Sequence, residues 1–295
     1  MMDGLSQGLR ALVVVCLLVA VVAAQQPEPV RILFIGNSYT YFNNLPEQID
    51  QMAESRGIDV EIERVLKGGY SFERHWLNED GSPGDAQVAI AEEGPWDLIV
   101  LQEFSTGTLW QRRPSFFAYG ERFVDHIREH ESEDRPTRVV MYLTWARRWM
   151  PETQPWITQG YSEFAVEHEV EVAPVGEAWR VARLERPALE LFDPDQTHPG
   201  PAGSYLGACV FFETIFGQTA EGLPRRMEGE KVHPRDGLPT LVDLSEEDAL
   251  FLQRLAGETV VAFDPEDHAG SLGEAPPWRN PPVLEPDEPE PVTTE

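Results

Sequence analysis

The sequence predicts a doubly wound α/β domain, and three observations carry that expectation. Short, near-continuous apolar runs recur along the chain, as in parallel strands covered on both faces. Segments with helical spacing alternate with them, which implies parallel strands joined by right-handed helical crossovers. The chain has 295 residues, 41% of them apolar, enough for a buried core.

The first strand is expected at residues 31–35, where Ile32, Leu33, Phe34 and Ile35 run together. A helix over 45–56 follows with Ile49 and Met52 on one side, and Gly57 ends it before a second strand at 60–65. The alternation continues with a strand at 97–102, a helix near 116–130, a strand at 138–144, a helix near 153–168 and a fifth strand at about 170–175. One domain accounts for residues 30 to roughly 220. Pro199 and Gly200 introduce a helix over 201–216, and Ser245 with Asp248 makes a capping box for a last helix to about Gly257. Residues 218–243 read as loop, and no internal repeat is present.

Both ends differ in character from this middle. Arg10, the apolar run 11–22 and Ala23-Ala24 have the order of a secretory signal peptide over residues 1–24, which predicts a secreted or periplasmic protein. The run is shorter than the roughly 20 residues of a membrane-spanning helix, so no stable membrane insertion is expected after cleavage. Cleavage would remove Cys16 and leave Cys209 alone, without an internal disulfide. The domain is expected over 25–263, and the Pro- and acid-rich segment 264–295 is expected as a tail, disordered after about residue 270. With 23 Lys plus Arg against 51 Asp plus Glu, the formal charge of −28 disfavours nucleic acid and anionic membranes as partners.

In an open parallel sheet, ligands bind outside the carboxyl ends of the strands. After the first strand comes Gly36-Asn37-Ser38-Tyr39-Thr40, in which Ser38 is either a helix cap or a nucleophile beside free N–H groups. After the second comes Gly68-Gly69, a turn that also lets a backbone N–H approach a ligand. After the third comes Gln102-Glu103, where Gln102 either donates to an oxyanion or bonds loop backbone and Glu103 reads as solvated. Far along the chain, Asp195 and His198 stand three apart in a loop, so that the carboxylate can reach one imidazole nitrogen while the other faces a nucleophile. The same pair could be a capping Asp beside a surface His, but the order Ser, Asp, His is a known triad order on α/β sheets. No HExxH, paired Cys or second tight His cluster is read in the sequence, so neither metal nor cofactor is expected.

Taken together, Ile35-Gly36-Asn37-Ser38, Gly68-Gly69 and Asp195-Gln196-Thr197-His198-Pro199 resemble the first, second and last blocks of the SGNH (GDSL-like) hydrolases, over about residues 31–216. The resemblance implies a flavodoxin-like three-layer α/β/α sandwich around a five-stranded parallel sheet. It also implies metal-free ester hydrolysis, often of acetyl groups on carbohydrates, with Ser38 as nucleophile, His198 as base and Asp195 orienting it. The N–H groups of Ser38 and Gly69 are the implied oxyanion donors. The third block departs from the usual Gly-x-Asn-Asp, which makes Gln102 the candidate third donor. Asn37 replaces the Asp of the GDSL block and removes a charge beside the nucleophile.

Asn37, His75 and Trp145 are the candidate substrate contacts: His75 follows the paired glycines, and Trp145 stands with Trp149, Trp156, Arg147 and Arg148 after the fourth strand. His126, His130 and His168 lie on expected helices and carry no functional reading. The expected partner is a small-molecule or carbohydrate ester. The rival readings are a lipid or thioester hydrolase with the same triad, and a glycan-binding protein on this fold without turnover. Oligomeric state is not legible.

Overall fold

Val30–Gly36 forms strand β1, and its apolar run leaves no polar face for solvent, so it is stable only with both faces covered. In the computed structural model, which describes residues 28–230 and 240–272, both faces are covered. A short helix α1 (Ser38–Tyr41) and then α2 (Leu45–Ser55) lead to β2 (Val60–Leu66), paired parallel with β1. The chain returns through α3 (Phe72–Trp76) and α4 (Asp85–Glu92) to β3 (Leu98–Leu101), on the other side of β1. It continues through α5 (Arg113–His130), β4 (Arg138–Tyr142), α6 (Gln154–His168) and β5 (Glu171–Ala173). All four pairings are parallel and the sheet order is β2-β1-β3-β4-β5, the expected five-stranded α/β sandwich.

Period-two alternation divides the strand side chains between two cores. Ile32, Phe34, Leu98, Val100, Val140 and Tyr142 face one layer, built by α2, α7 (Val175–Glu185), α8 (Pro201–Phe216) and α9 (Glu246–Ala262). Leu33, Ile35, Ile99, Leu101, Val139 and Met141 face the other, built by α3 to α6. Helix α8 is buried along most of its length and carries Cys209, fully enclosed and free of any disulfide. Ser245 accepts from the N–H of Asp248, capping α9 where the sequence has its box.

Three expectations need correction. The stretch expected as loop carries β6 (Arg226–Glu228) and β7 (Thr240–Asp243), an antiparallel pair. Only Met227 of β6 is buried, so the strand has too little apolar alternation to be read. Helix α9 runs five residues beyond Gly257. Regular structure also continues past residue 263: α10 (Pro265–His268) is capped by Asp264, and the N–H groups of Gly270 and Leu272 donate to Glu163 and Gln159 of α6. Backbone bonds to another helix's side chains hold this segment, and its own composition gives no sign of them. The segment 1–24, expected as a signal peptide, and the rest of the tail lie outside the described residues.

Candidate active site

The sheet order reverses direction between β1 and β3, because the chain goes to β2 on one side and then returns to the other. That reversal opens a crevice at the carboxyl ends of the strands. The turns after β1, β2, β3 and β4 converge there with the loop before α8. Together they enclose a cavity of about 370 Å³, lined among others by Ser38, Gly69, Phe104, Arg147, Asp195 and His198.

Ser38 is the first residue of α1, 8% exposed, and its placement follows from its neighbours. Asn37 has extended backbone and caps the helix, its Oδ1 accepting from the N–H of Tyr39 at 3.1 Å. The Asn37 amide donates to the carbonyl of Tyr70 at 2.8 Å, tying this turn to the one after β2. Gly36 allows the close approach: a Cβ there would stand 2.7 Å from Gln102 Oε1. Gly69 has φ +69°, which turns the backbone toward the cavity. The N–H groups of Ser38 and Gly69 form no hydrogen bond to a described residue.

On the opposite wall, Asp195 Oδ1 accepts from the N–H groups of Thr197 and His198, each at 2.9 Å, while Oδ2 accepts from His198 Nδ1. A carboxylate can only accept, so Nδ1 carries the proton and Nε2 presents its lone pair. Ser38 Oγ lies 2.8 Å from that Nε2. Partial burial pushes the Asp195 carboxyl up, but the bonds from His198 and Thr197 outweigh it and hold the group below the usual Asp value. Phe42 stacks on the imidazole with ring centroids 4.1 Å apart and planes 9° apart. The loop is anchored from below by Trp145, whose Nε1 donates to the carbonyl of Thr197 at 3.0 Å, and by Tyr39, whose hydroxyl is 2.7 Å from Thr197 Oγ1.

Not every candidate reaches the cavity. Gln102 is wholly buried: its Oε1 accepts from the N–H of Asn37 at 2.8 Å and from Thr40 Oγ1 at 3.0 Å, and its amide donates to the carbonyl of Glu103. It holds the Ser38 turn and does not line the cavity, so the reading of it as an oxyanion donor is corrected. His75 is also buried, with Nε2–H donating to the carbonyl of Gly36 at 2.8 Å. Burial drives its pKa down to about 4, so it stays neutral and buttresses the end of β1 instead of touching substrate. Trp145 is 2% exposed, stacked between Tyr39 and Trp179, and is not part of the wall of this cavity. Asn37 does line the cavity.

Residues passed over in the sequence take part as well. Glu103 is buried, not solvated; its Oε2 accepts from the N–H of Phe72 at 2.7 Å, and burial raises its pKa to about 7. Phe42 lines the cavity, which nothing in a lone Phe signals, and so does Arg147, from the loop after the fourth strand where the substrate contact was expected of Trp145. One group of metal-ligand type occurs among the described residues, His126, Glu129 and His130 on α5, which amends the statement that no second His cluster exists. It is not part of the cavity wall.

No family model and no curated protein sequence matches the chain. Among solved structures, it is similar to a DUF4886 family protein from Bacteroides uniformis, with a TM-score of 0.59 and 20% identity over 80% of this chain and 96% of that one. It is also similar to a variant of Axe2, an acetyl xylan esterase from Geobacillus stearothermophilus, at a TM-score of 0.47 and 14% identity, covering 63% of this chain and 94% of that one. A protein of the G-D-S-L family from Desulfitobacterium hafniense matches at a TM-score of 0.44 and 11% identity, covering 63% and 99%. At these identities the likeness is one of fold.

Proposed function

We propose that this chain, whose fold is the SGNH (GDSL-like) hydrolase fold expected from its blocks, is a serine esterase acting through an acyl-enzyme. One observation carries the reading: Ser38 Oγ stands 2.8 Å from His198 Nε2, while Nδ1 of the same ring is bonded to Asp195. Attack by Oγ on an ester carbonyl forms the C–O bond as the hydroxyl proton passes to Nε2, and Asp195 stabilises the imidazolium so formed. The imidazolium then protonates the departing alkoxide. Water, deprotonated by the same nitrogen, releases the acid.

The N–H groups of Ser38 and Gly69 are the proposed oxyanion donors, favoured by their position on the cavity wall. With Gln102 engaged elsewhere, a third donor is missing from this set. Each such donor is worth on the order of 2.7–4 kcal/mol, so turnover slower than that of a three-donor esterase is expected. The cavity suits a short acyl group, acetyl above all, on a small or carbohydrate alcohol. The N-terminal apolar run favours export, with cleavage near Ala24 as the expected processing. No described helix is long and apolar enough to cross a membrane.

The test is hydrolysis of p-nitrophenyl acetate by the wild type and by Ser38→Ala, together with labelling by a fluorophosphonate. Turnover and labelling in the wild type, both lost in the variant with its melting temperature kept, are expected. Equal activity in Ser38→Ala overturns the assignment. A rate that climbs with acyl length would favour a lipid esterase instead, and glycan binding without labelling would favour a binding protein.

A further inference from the structure

The loop after β4 carries two adjacent arginines with different surroundings. Arg148 is ion-paired with Glu190 and lies over the Phe192 ring at 4.8 Å. Arg147 lines the cavity that holds Ser38 and His198, and no described carboxylate lies within ion-pair distance of it. Its Nη2 donates to the neutral hydroxyl of Ser105 at 3.1 Å, and its Nε is buried without a partner. The rings of Phe104 and Trp149, each 5.8 Å from the guanidinium carbon, hold it in place without using its donors.

Scarcity of acids does not explain this, since the chain has 51 Asp plus Glu. Two further arginines that form no ion pair with a described residue stand beside the cavity's own residues, although Arg112 acts electrostatically on the buried Glu103. Arg112 lies over Phe104 at 4.5 Å, and Arg74 lies over Tyr70 at 4.2 Å while donating to the carbonyl of Gly69 at 3.3 Å. At physiological salt, charges beyond about 8 Å are largely screened, so the acidic exterior counts for little here. Of the charged residues on the cavity wall, Asp195 is bonded to the His198 imidazole, which leaves the Arg147 guanidinium to meet an anion.

We propose that Arg147 is a substrate-binding residue that selects esters bearing a carboxylate, on either the acyl or the alcohol side of the scissile bond. The proposal rests on the esterase reading. A guanidinium presents a planar fork of N–H donors that matches a carboxylate with two parallel bonds, and a neutral ester offers nothing equivalent. Arg147 shares one small cavity with the nucleophile, so the carboxylate and the ester belong to the same small molecule. Dicarboxylic half-esters and acetylated hydroxy acids, sugar acids included, have this form.

The experiment compares two pairs of esters. On the acyl side these are p-nitrophenyl hydrogen adipate and p-nitrophenyl hexanoate; on the alcohol side, 4-acetoxybenzoate and 4-acetoxybenzamide. For each pair the ratio of kcat/KM, anionic over neutral, is divided by the same ratio for hydroxide. The wild type is expected to favour the anion by about 10- to 100-fold in at least one pair, which identifies the side. Arg147→Gln should bring that ratio to near one, and Arg147→Lys should keep part of it. A preference that survives Arg147→Gln overturns the proposal, as it would if Arg147 only supported Ser105 and slowed both esters alike. A wild-type ratio at or below one in both pairs overturns it without any variant, so misfolding of Arg147→Gln leaves it decidable. If no ester is turned over and Ser38 is not labelled, the esterase reading and this proposal fall together; an active wild type without the preference sinks this proposal alone.

Discussion

The two walls of the cavity are built by different means. The wall carrying the proposed base has a local framework, in which Asp195 bonds the N–H groups two and three residues ahead and the imidazole of His198, all within one turn. Trp145 and Tyr39 only brace that turn from below. The wall carrying the proposed nucleophile is assembled from afar. Gln102 reaches Asn37 across 65 residues, His75 reaches the Gly36 carbonyl across 39, and Glu103 holds the N–H of Phe72 across 31. A local turn fixes its own geometry once it forms, whereas the remote wall is right only when the sheet and its helices are in register. Damage to the first should therefore appear in turnover and damage to the second in stability.

Asp195→Asn tests this most strongly. The side chain keeps its shape but loses the charge that holds the Nδ1 proton and stabilises the imidazolium, so kcat should fall by about 10³–10⁴-fold with little change in melting temperature. A loss of less than tenfold in a kinetic assay would remove the local wall from the mechanism.

The buried carboxyl of the remote wall sharpens the comparison through pH. Glu103 has its pKa raised by burial from 4.5 to about 7, so folding favours its protonated form. Its contribution is fully present below pH 4.5 and is lost as pH rises through 7, a change of about 3 kcal/mol once complete. His75, depressed from 6.5 to about 4, acts in the opposite sense, its contribution being lost as pH falls through that window. Denaturant unfolding of Glu103→Gln and wild type, each retaining His75, isolates the carboxyl. The variant should gain relative stability as pH rises from 4.5 to above 7, and a difference independent of pH would mean that Glu103 is not titrating there.

Gln102→Leu gives the smallest effect. It leaves the buried N–H of Asn37 without its acceptor, at a cost of about 2 kcal/mol in unfolding free energy. If Gln102 were instead an oxyanion donor, kcat would fall by about 10²–10³-fold while the melting temperature held. A thermal melt run beside the kinetics separates the two.

The same division explains what could be read from the sequence. Asp195 and His198 were legible because three residues of loop impose their relation, and the strands were legible because a buried strand must be apolar. Gln102 was misjudged because its neighbours in sequence do not reveal that Asn37 and Thr40 occupy its oxygen. Trp145 follows a strand at the correct end of the sheet, yet Tyr39 and Trp179, both distant in sequence, enclose it. Helix α7 was readable in principle, since Val175, Ala178, Trp179 and Ala182 recur at i, i+3, i+4 and i+7, but its first turn merges with the apolar end of β5. Strand β6 and α10 carry almost no apolar signal; β6 is fixed by backbone pairing to β7, and the turn after α10 by bonds from Gly270 and Leu272 to side chains of α6.

The phenyl ring of Phe42 lies flat against the His198 imidazole. To exchange its two nitrogens the imidazole would have to swing edge-on through the volume that Phe42 fills. In the proposed cycle, a proton taken by Nε2 from the serine therefore leaves from that same atom, and the incoming water approaches along the path the alcohol vacated.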